Sequence, residues 1–442
     1  MMLVRRRNLL LPLLLIGLLL GACLLPANPA AEAAQYTAAE LADKAVEFIN
    51  EAYVSGERLD GYTAYVLTLA GEDPAGEGWR HDGQSLKGEI ESLADLLGED
   101  RSLISYLLAN QNDDGGFGPY GNEYGTAPVL EALAVVIDHI PVNEEVYPQV
   151  QNSISDAVYF LKQSYLTNGY DATGWGFDHR CVAALAAAGE ELDRDDWRLG
   201  DKTLHDSVVE TAYAVAEEVY TVDDADYLAK HLNALYAVAA ADPAVKTLAG
   251  RLLELQAQNP LEAGLFGTGS IYGEVFVLRV LGKTGYLSEI DQEGALEYIN
   301  QFYYEHQGAF GPAGGGWGGF SQAPESDTTA QVLTALSYFD GSTVKDVYID
   351  KGLAYLAAIQ DVDTAAIPHQ WDSVFATAET LLALKSLGKT WEDYGAAGGQ
   401  WVKSSRTKTV AQCLLALGAW GDTARVERLA GILRDRQRTA DP

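Results

Sequence analysis

A recurring pair of helical segments constrains the fold of this chain more than any other feature. The first member places an aromatic and an apolar residue ahead of a glutamine or tyrosine, as at Tyr355, Leu356 and Gln360. A loop that contains glycine and an aromatic residue usually follows. The second member then begins with Thr-Ala and continues with leucine at helical spacing. Recurring pairs of helical segments are typical of arrays of helical hairpins, so the chain is predicted to be all-α.

The Thr-Ala segments are clearest at Thr126, Thr329 and Thr377. We expect the threonine to cap the helix, the alanines to allow close helix contacts, and the leucines to fill the core. Because these segments are apolar on nearly all sides, they are predicted to lie inside. The segments with basic and aromatic residues are predicted to lie outside, each with one face in water.

The spacing of the pairs indicates roughly six hairpins, or about twelve helices. A closed ring of hairpins has none of the exposed ends that an open solenoid must cap. The predicted fold is therefore an α/α toroid, a double-layered (α/α)6 barrel, over residues 39–433, with a tail at 434–442. An open superhelix of the TPR or HEAT kind is the alternative.

The N-terminus carries a targeting pattern. Arg5–Arg7 precede an apolar run at Leu9–Leu20, and Leu20-Gly21-Ala22-Cys23 resembles the bacterial lipobox. This pattern predicts a lipoprotein signal peptide at 1–23, an Ala/Pro tether at 24–38 and lipidation of Cys23. The protein is then exported, extracytoplasmic and membrane-anchored. Ordinary signal-peptide cleavage within Ala30–Ala34 is the alternative.

The composition and charge of the chain limit the classes of partner that it can bind. The 442 residues are 48% hydrophobic and carry a net charge of −33, so a large core is possible and nucleic acid is excluded as a partner by repulsion. The three cysteines form no CxxC pair, and the acidic pairs lack the spacing of a diphosphate-binding cluster. We therefore expect no metal and no cofactor.

The helix that ends in glutamine, with its glycine-aromatic loop, resembles the QW motif of the prenyltransferase and squalene oxidase repeat. The chain is similar over 39–433 to the superfamily of terpenoid cyclases and protein prenyltransferases. This resemblance implies an α/α toroid in which the glutamine joins successive helices and stacks on a loop aromatic. Gln111 with Phe117 and Gln360 with Trp371 are the expected pairs.

A candidate proton donor lies at the start of one Thr-Ala helix. The segment from Glu325 to Ala330 resembles the Asp-x-Asp-Asp-Thr-Ala element of squalene–hopene cyclases, whose central aspartate protonates an alkene. The resemblance makes Asp327 the candidate catalytic acid and Glu325 its neighbour, although Glu325 and Thr328 replace two of the aspartates. The alternative is that Asp327 caps the helix.

The glycine-aromatic loops are expected to surround the mouth of an aromatic-rich, dry cavity. The candidate ligand-binding residues are Phe117, Tyr120, Trp175, Phe177, Trp317, Phe320, His369 and Trp371. The predicted function is binding of an apolar or amphipathic small molecule, or an envelope scaffold whose partner is another envelope protein. A terpenoid cyclase and a glycan-active (α/α)6 enzyme with two facing carboxylates are the alternatives.

Overall fold

A computed structural model describes most of the chain beyond residue 37. The described residues are 38–56, 59–81, 83–96, 100–174, 176–258, 265–308, 311–319, 322–341, 343–361, 364–396, 399–404 and 407–440. The predicted signal peptide with Cys23, and the loop residues Trp175 and Phe320, lie outside them. The chain divides into two compact units: Arg101–Lys403 forms one, and the segments on either side of it form the other.

The elements are helices with a few short strands. The helices are α1 Ala38–Val54, α2 Gly61–Leu69, α3 Leu86–Leu96, α4 Leu103–Leu108, α5 Glu123–Val136, α6 Val146–Asn168, α7 His179–Ala187, α8 Leu204–Glu217, α9 Ala225–Ala239, α10 Pro243–Gln258, α11 Ile271–Thr284, α12 Gln292–Asn300, α13 Ser326–Leu336, α14 Thr343–Ile359, α15 Ser373–Ser386, α16 Trp391–Tyr394, α17 Thr407–Ala419 and α18 Thr423–Ala440. The strands are β1 Arg80–His81, β2 Gln84–Ser85, β3 Asp100–Ser102, β4 Arg198–Leu199, β5 Lys202–Thr203, β6 Tyr303–Gly308, β7 Gly311–Trp317 and β8 Val402–Ser404.

Six inner helices close a ring within the larger unit. Helix α5 packs on α7, and the contacts continue in order through α9, α11, α13 and α15. Helix α15 then packs back on α5, which closes the ring. The helices α4, α6, α8, α10, α12 and α14 alternate with the inner ones along the chain. The predicted all-α toroid is therefore confirmed, and the open superhelix is wrong.

The ring lies within Arg101–Lys403. The wider toroid limits of 39–433 stay a prediction. The smaller unit has its own core, in which α17 packs on α2, α3 and α18. Trp79, Ile90 and Leu417 are among its buried side chains. Within the described segments, no helix combines the length and the apolarity needed to cross a bilayer.

The inner helices are buried on nearly all sides, as their composition predicts. In α15, every residue from Val374 to Leu384 is buried, and α13 is buried from Thr328 to Leu336 except at Gln331. A helix that is apolar all round is stable only when neighbours cover each face. Two adjacent inner helices and the outer layer provide that cover.

The threonine of the Thr-Ala pair anchors the preceding loop and does not cap the helix. Buried Thr126, Thr329 and Thr377 each accept a backbone N–H from that loop: from Phe117 at 2.9 Å, from Trp317 at 3.0 Å and from Ile367 at 2.9 Å, respectively. The cap positions are Asn122, Glu325 and Asp372. The predicted capping role of these threonines is therefore wrong.

The two glutamines that were expected to bridge successive helices both donate to backbone carbonyls. Gln111 donates to the carbonyls of Gly115 at 3.0 Å and Ser153 at 2.9 Å, so it ties its helix end to the next outer helix. Gln360 donates to the carbonyls of Ala365 at 2.9 Å and Trp401 at 3.1 Å. Gln360 is buried and Trp371 is exposed, so Trp401 replaces Trp371 as the tryptophan that Gln360 contacts.

The loop anchor predicts a difference between two buried threonines of α15. Thr377→Val keeps the side-chain shape but leaves the N–H of Ile367 without an acceptor, which should lower the free energy of unfolding by about 1–3 kcal/mol. Among the described residues, Thr380 bonds only to the carbonyl of Ala376 within its own helix, so Thr380→Val is the matched control and should cost less. Urea unfolding of both variants measures the difference. Equal losses would contradict the anchor.

Candidate functional site

A cavity of about 1180 Å³ occupies the centre of the ring. Every inner helix contributes to its wall. One lining residue from each, in ring order, is Tyr124, Arg180, Lys230, Phe276, Gln331 and Phe375. This volume slightly exceeds the range of ordinary small-molecule sites. The wall holds more charge than the dry cavity expected from the sequence, because carboxylates, lysines and arginines all reach the lumen.

The first turns of the inner helices meet at one end of this cavity, which we call the loop-side end. Arg180 of α7 lies over the Tyr124 ring of α5, and Tyr124 stacks on Phe375 of α15. Tyr272 of α11 bonds to Glu325 at the start of α13. These contacts join the beginnings of five inner helices, so the inner helices run parallel around the lumen.

Acidic caps dominate the loop-side end. Asp178, Asp224 and Asp372 each accept a backbone N–H from the first turn of their helix, and all three line the cavity. A carboxylate at this position satisfies unpaired N–H groups and interacts favourably with the positive end of the helix dipole. The local requirements of the helices therefore make this end of the lumen acidic.

Asp327 faces a histidine across the loop-side end. Its helix begins at Ser326 and the cap position is Glu325, so the prediction that Asp327 caps the helix is wrong. Asp327 Oδ1 lies 3.5 Å from His369 Nε2. His369 Nδ1 accepts the N–H groups of Trp371 and Asp372, both at 3.3 Å. Because Nδ1 accepts these two N–H groups, Nε2 is the ring nitrogen available to donate, and it is the one nearer Asp327.

Glu325 belongs to the same cluster. Its Oε2 accepts the hydroxyl of Tyr272 at 2.5 Å and the N–H of Gly319 at 3.0 Å. Burial raises the pKa of Tyr272, and the hydrogen bond to Glu325 raises it further. Tyr272 is therefore a hydrogen-bond donor held against a carboxylate.

A stack of charged and aromatic groups forms another part of the wall at the loop-side end. Buried Asp178 binds the Arg180 guanidinium, which lies 4.4 Å from the centre of the Tyr124 ring. Tyr124 stacks on Phe375 with ring centres 5.2 Å apart. Cation–π contact and stacking fix the aromatic faces in place, so this wall is preorganised.

The predicted site residues fall into three groups. Glu325, Asp327, His369 and Trp371 all line the cavity. Phe117, Phe177 and Trp317 are buried in the core of the ring, and exposed Tyr120 lies on the surface; none of these four lines the cavity. Trp175 and Phe320 lie outside the described residues.

Sequence reasoning missed the charges at mid-height in the cavity. Arg279 pairs with Glu379 at 2.9 Å, and Lys283 pairs with Glu131 at 3.4 Å. Burial raises the pKa of Glu379, while Arg279 opposes that shift. The available signal was a charged residue within an otherwise apolar Thr-Ala segment, as Glu379 is after Thr377 and Ala378.

His231 of α9 predicts acid sensitivity of the ring. Neither ring nitrogen has a hydrogen-bond partner among the described residues, and burial lowers the pKa of His231 to about 4. The unfolded chain, with a pKa of about 6.5, binds the proton first, so folding stability is lost as pH falls from about 6.5 towards 4. His231→Leu should reduce the stability difference between pH 7 and pH 5 by about 2 kcal/mol.

Urea unfolding at several pH values tests this expectation. Above pH 7 the curves of stability against pH should run parallel for the two proteins, because His231 is neutral in both folded and unfolded chains. An identical loss between pH 7 and pH 5 in the variant would contradict the assignment to His231.

Comparisons with known proteins give structural neighbours only. No known family matches the chain, and no curated protein matches it. Solved structures of the type II terpene cyclase MstE from Scytonema do match. A variant in complex with merosterolic acid A is 14% identical, with a TM-score of 0.38, and the alignment covers 68% of this chain and 97% of that one. The apo enzyme is 12% identical, with a TM-score of 0.32, and coverage is 68% and 99%. Likeness at this level says nothing about activity.

Proposed function

We propose that this chain is an exported, lipid-anchored protein that binds an amphipathic small molecule in the central cavity of its ring. The observation that carries the proposal is the 1180 Å³ lumen, whose wall combines acidic and hydroxyl groups with aromatic rings. Such a wall suits a ligand with one polar part and one apolar part.

The loop-side end favours the polar part of the ligand. Asp327 and Glu325 supply carboxylate acceptors, and His369 and Tyr272 supply donors beside them. The Trp371 side chain is 72% exposed and lines the same end of the cavity. An exposed indole at the mouth of a cavity is suited to contact the apolar part of an entering molecule.

The proposed export and lipid anchoring of the protein are supported by its N-terminal sequence. The Arg5–Arg7 group, the apolar run and the Leu-Gly-Ala-Cys segment ending at Cys23 support export followed by acylation. One acyl group gives only reversible anchoring unless a second signal is present, but a diacylglyceryl group supplies two chains. A protein held in this way lies next to a source of amphipathic molecules.

A substitution that fills the lumen tests the proposal. Gln331 lines the cavity from α13, so Gln331→Trp should reduce ligand retention at least about tenfold by occupying the lumen. Gln151 is exposed on the outer helix α6, so Gln151→Trp is the matched control and should retain ligand as the unmodified chain does. Residues 24–442 are incubated with membrane lipids, isoprenoids and cell-wall glycans, and bound molecules are identified by native mass spectrometry.

Equal retention by both variants would contradict a site in the lumen. If the unmodified chain retains no small molecule, that result would favour the alternative of a scaffold whose partner is an envelope protein. Cleaved glycan in the mixture would favour the glycan-active alternative.

A terpenoid-cyclase-like proton transfer is the second candidate, and the contact between Asp327 and His369 favours it. A carboxylic acid that protonates an alkene must itself carry the proton, and a neighbouring N–H stabilises the carboxylate left behind. Binding without chemistry predicts that squalene and polyprenyl substrates are recovered unchanged from the unmodified chain. Analysis of the products by mass spectrometry distinguishes binding from cyclisation. A ring-closed product that Asp327→Asn abolishes would establish the cyclase instead.

A further inference from the structure

Two ion pairs cross the lumen between helices that are not neighbours in the ring. Arg279 and Lys283 both belong to α11, while Glu379 belongs to α15 and Glu131 to α5. Helix α13 lies between α11 and α15, and α5 is opposite α11 in the order of inner helices. Each pair therefore spans the cavity instead of joining adjacent helices.

The pairs lie about halfway along the lumen. The helices α5, α11 and α15 have 14 residues each, which gives a length of about 21 Å at 1.5 Å per residue. Glu131, Arg279 and Glu379 lie near the middles of their helices. Lys283 is in the last turn of α11, but a helical side chain leans towards the N-terminus of its helix, which brings its amine back towards mid-height. About 10 Å of lumen then remains on the loop side.

Separating these ion pairs is energetically unfavourable. Arg279 and Glu379 are largely shielded from water, with side-chain exposures of 19% and 7%. Separating such a pair leaves a buried charge without its partner, which is far less favourable than the paired state. Four charged side chains cross the lumen at this level, so the apolar chain of a ligand meets charge there unless it displaces the pairs or stops short of them.

We infer that the pairs Arg279–Glu379 and Lys283–Glu131 form a partition that limits how deeply a ligand enters and so selects ligands with a short apolar part. This inference rests on the proposed function, because it assigns the size limit of that same cavity. Residues on the far side of the partition, such as Val135, Leu382 and Ser386, lie beyond the reach of the bound ligand.

Binding of a homologous series tests the partition in the unmodified chain. The probes are n-alkyl maltosides of six to twelve carbons, used below their micelle concentrations and measured by isothermal titration calorimetry on residues 24–442. Each methylene buried in the lumen should raise affinity about fourfold. We expect the rise to stop before twelve carbons. A rise that continues through twelve would overturn the partition and leave the proposed function intact.

Removal of the charges provides the second measurement. The variant that combines Arg279→Ala, Glu379→Ala, Lys283→Ala and Glu131→Ala leaves no partner stranded and should extend the rise to longer chains. We expect at least about tenfold tighter binding of the twelve-carbon probe than in the unmodified chain. The matched control is Arg251→Ala with Asp223→Ala and Glu254→Ala, which removes a buried arginine and both of its carboxylate partners outside the lumen and should leave the limit unchanged.

The outcomes separate the two proposals. An unchanged limit in the lumen variant would overturn the partition alone. Failure of every homologue to bind the unmodified chain would overturn the proposed function and the partition with it. If the lumen variant does not fold, the n-alkyl maltoside series on the unmodified chain still tests the partition.

Discussion

The packing of α15 against α5 is the contact on which the rest of the ring depends. Each of the other inner helices meets the next one along the series, and only this contact joins the last inner helix to the first. Closure covers both flanks of every inner helix, which is why sequences as apolar as that of α15 remain stable inside the protein. It also encloses a space that six helices cannot fill with their own backbones, and side chains from all six define that space.

Charge within the lumen follows from the parallel direction of the inner helices. Six helix N-termini meet at the loop-side end, where unpaired N–H groups favour carboxylate caps such as Asp178, Asp224 and Asp372. Lysines occur near the other end, at Lys283 and Lys385, where the helix dipole favours positive charge. The polar character of the cavity is thus a consequence of the architecture, and any ligand must be compatible with it.

Local patterns predicted the hairpins, the closed ring and the presence of Asp327 and His369 near a cavity, because these depend on periodicity and on residues close in sequence. Contacts between distant residues were missed. Gln360 binds the carbonyl of Trp401 instead of stacking on nearby Trp371, and Arg279 pairs with Glu379. The threonine role was also misjudged, since a threonine at a helix start suits both a cap and a loop anchor. Only the position of the preceding loop distinguishes the two.

The position of the charged pairs bears on the choice between binding and cyclisation. A cyclase for a long polyprene needs a continuous apolar chamber in which a chain can fold and in which carbocations meet aromatic faces instead of carboxylates. Here the aromatic rings of Tyr124, Phe276 and Phe375 lie on the loop side of the pairs formed by Arg279 and Lys283, while Tyr338 lines the cavity beyond the end of α13, so charged groups separate the aromatic parts of the wall. Asp327 and His369 could supply a proton at that end, but the length of lumen below them suits a small amphipathic molecule better than a folded polyprene. The same two ion pairs that bridge the lumen therefore favour a binding protein, and their removal is the change most able to admit a longer ligand.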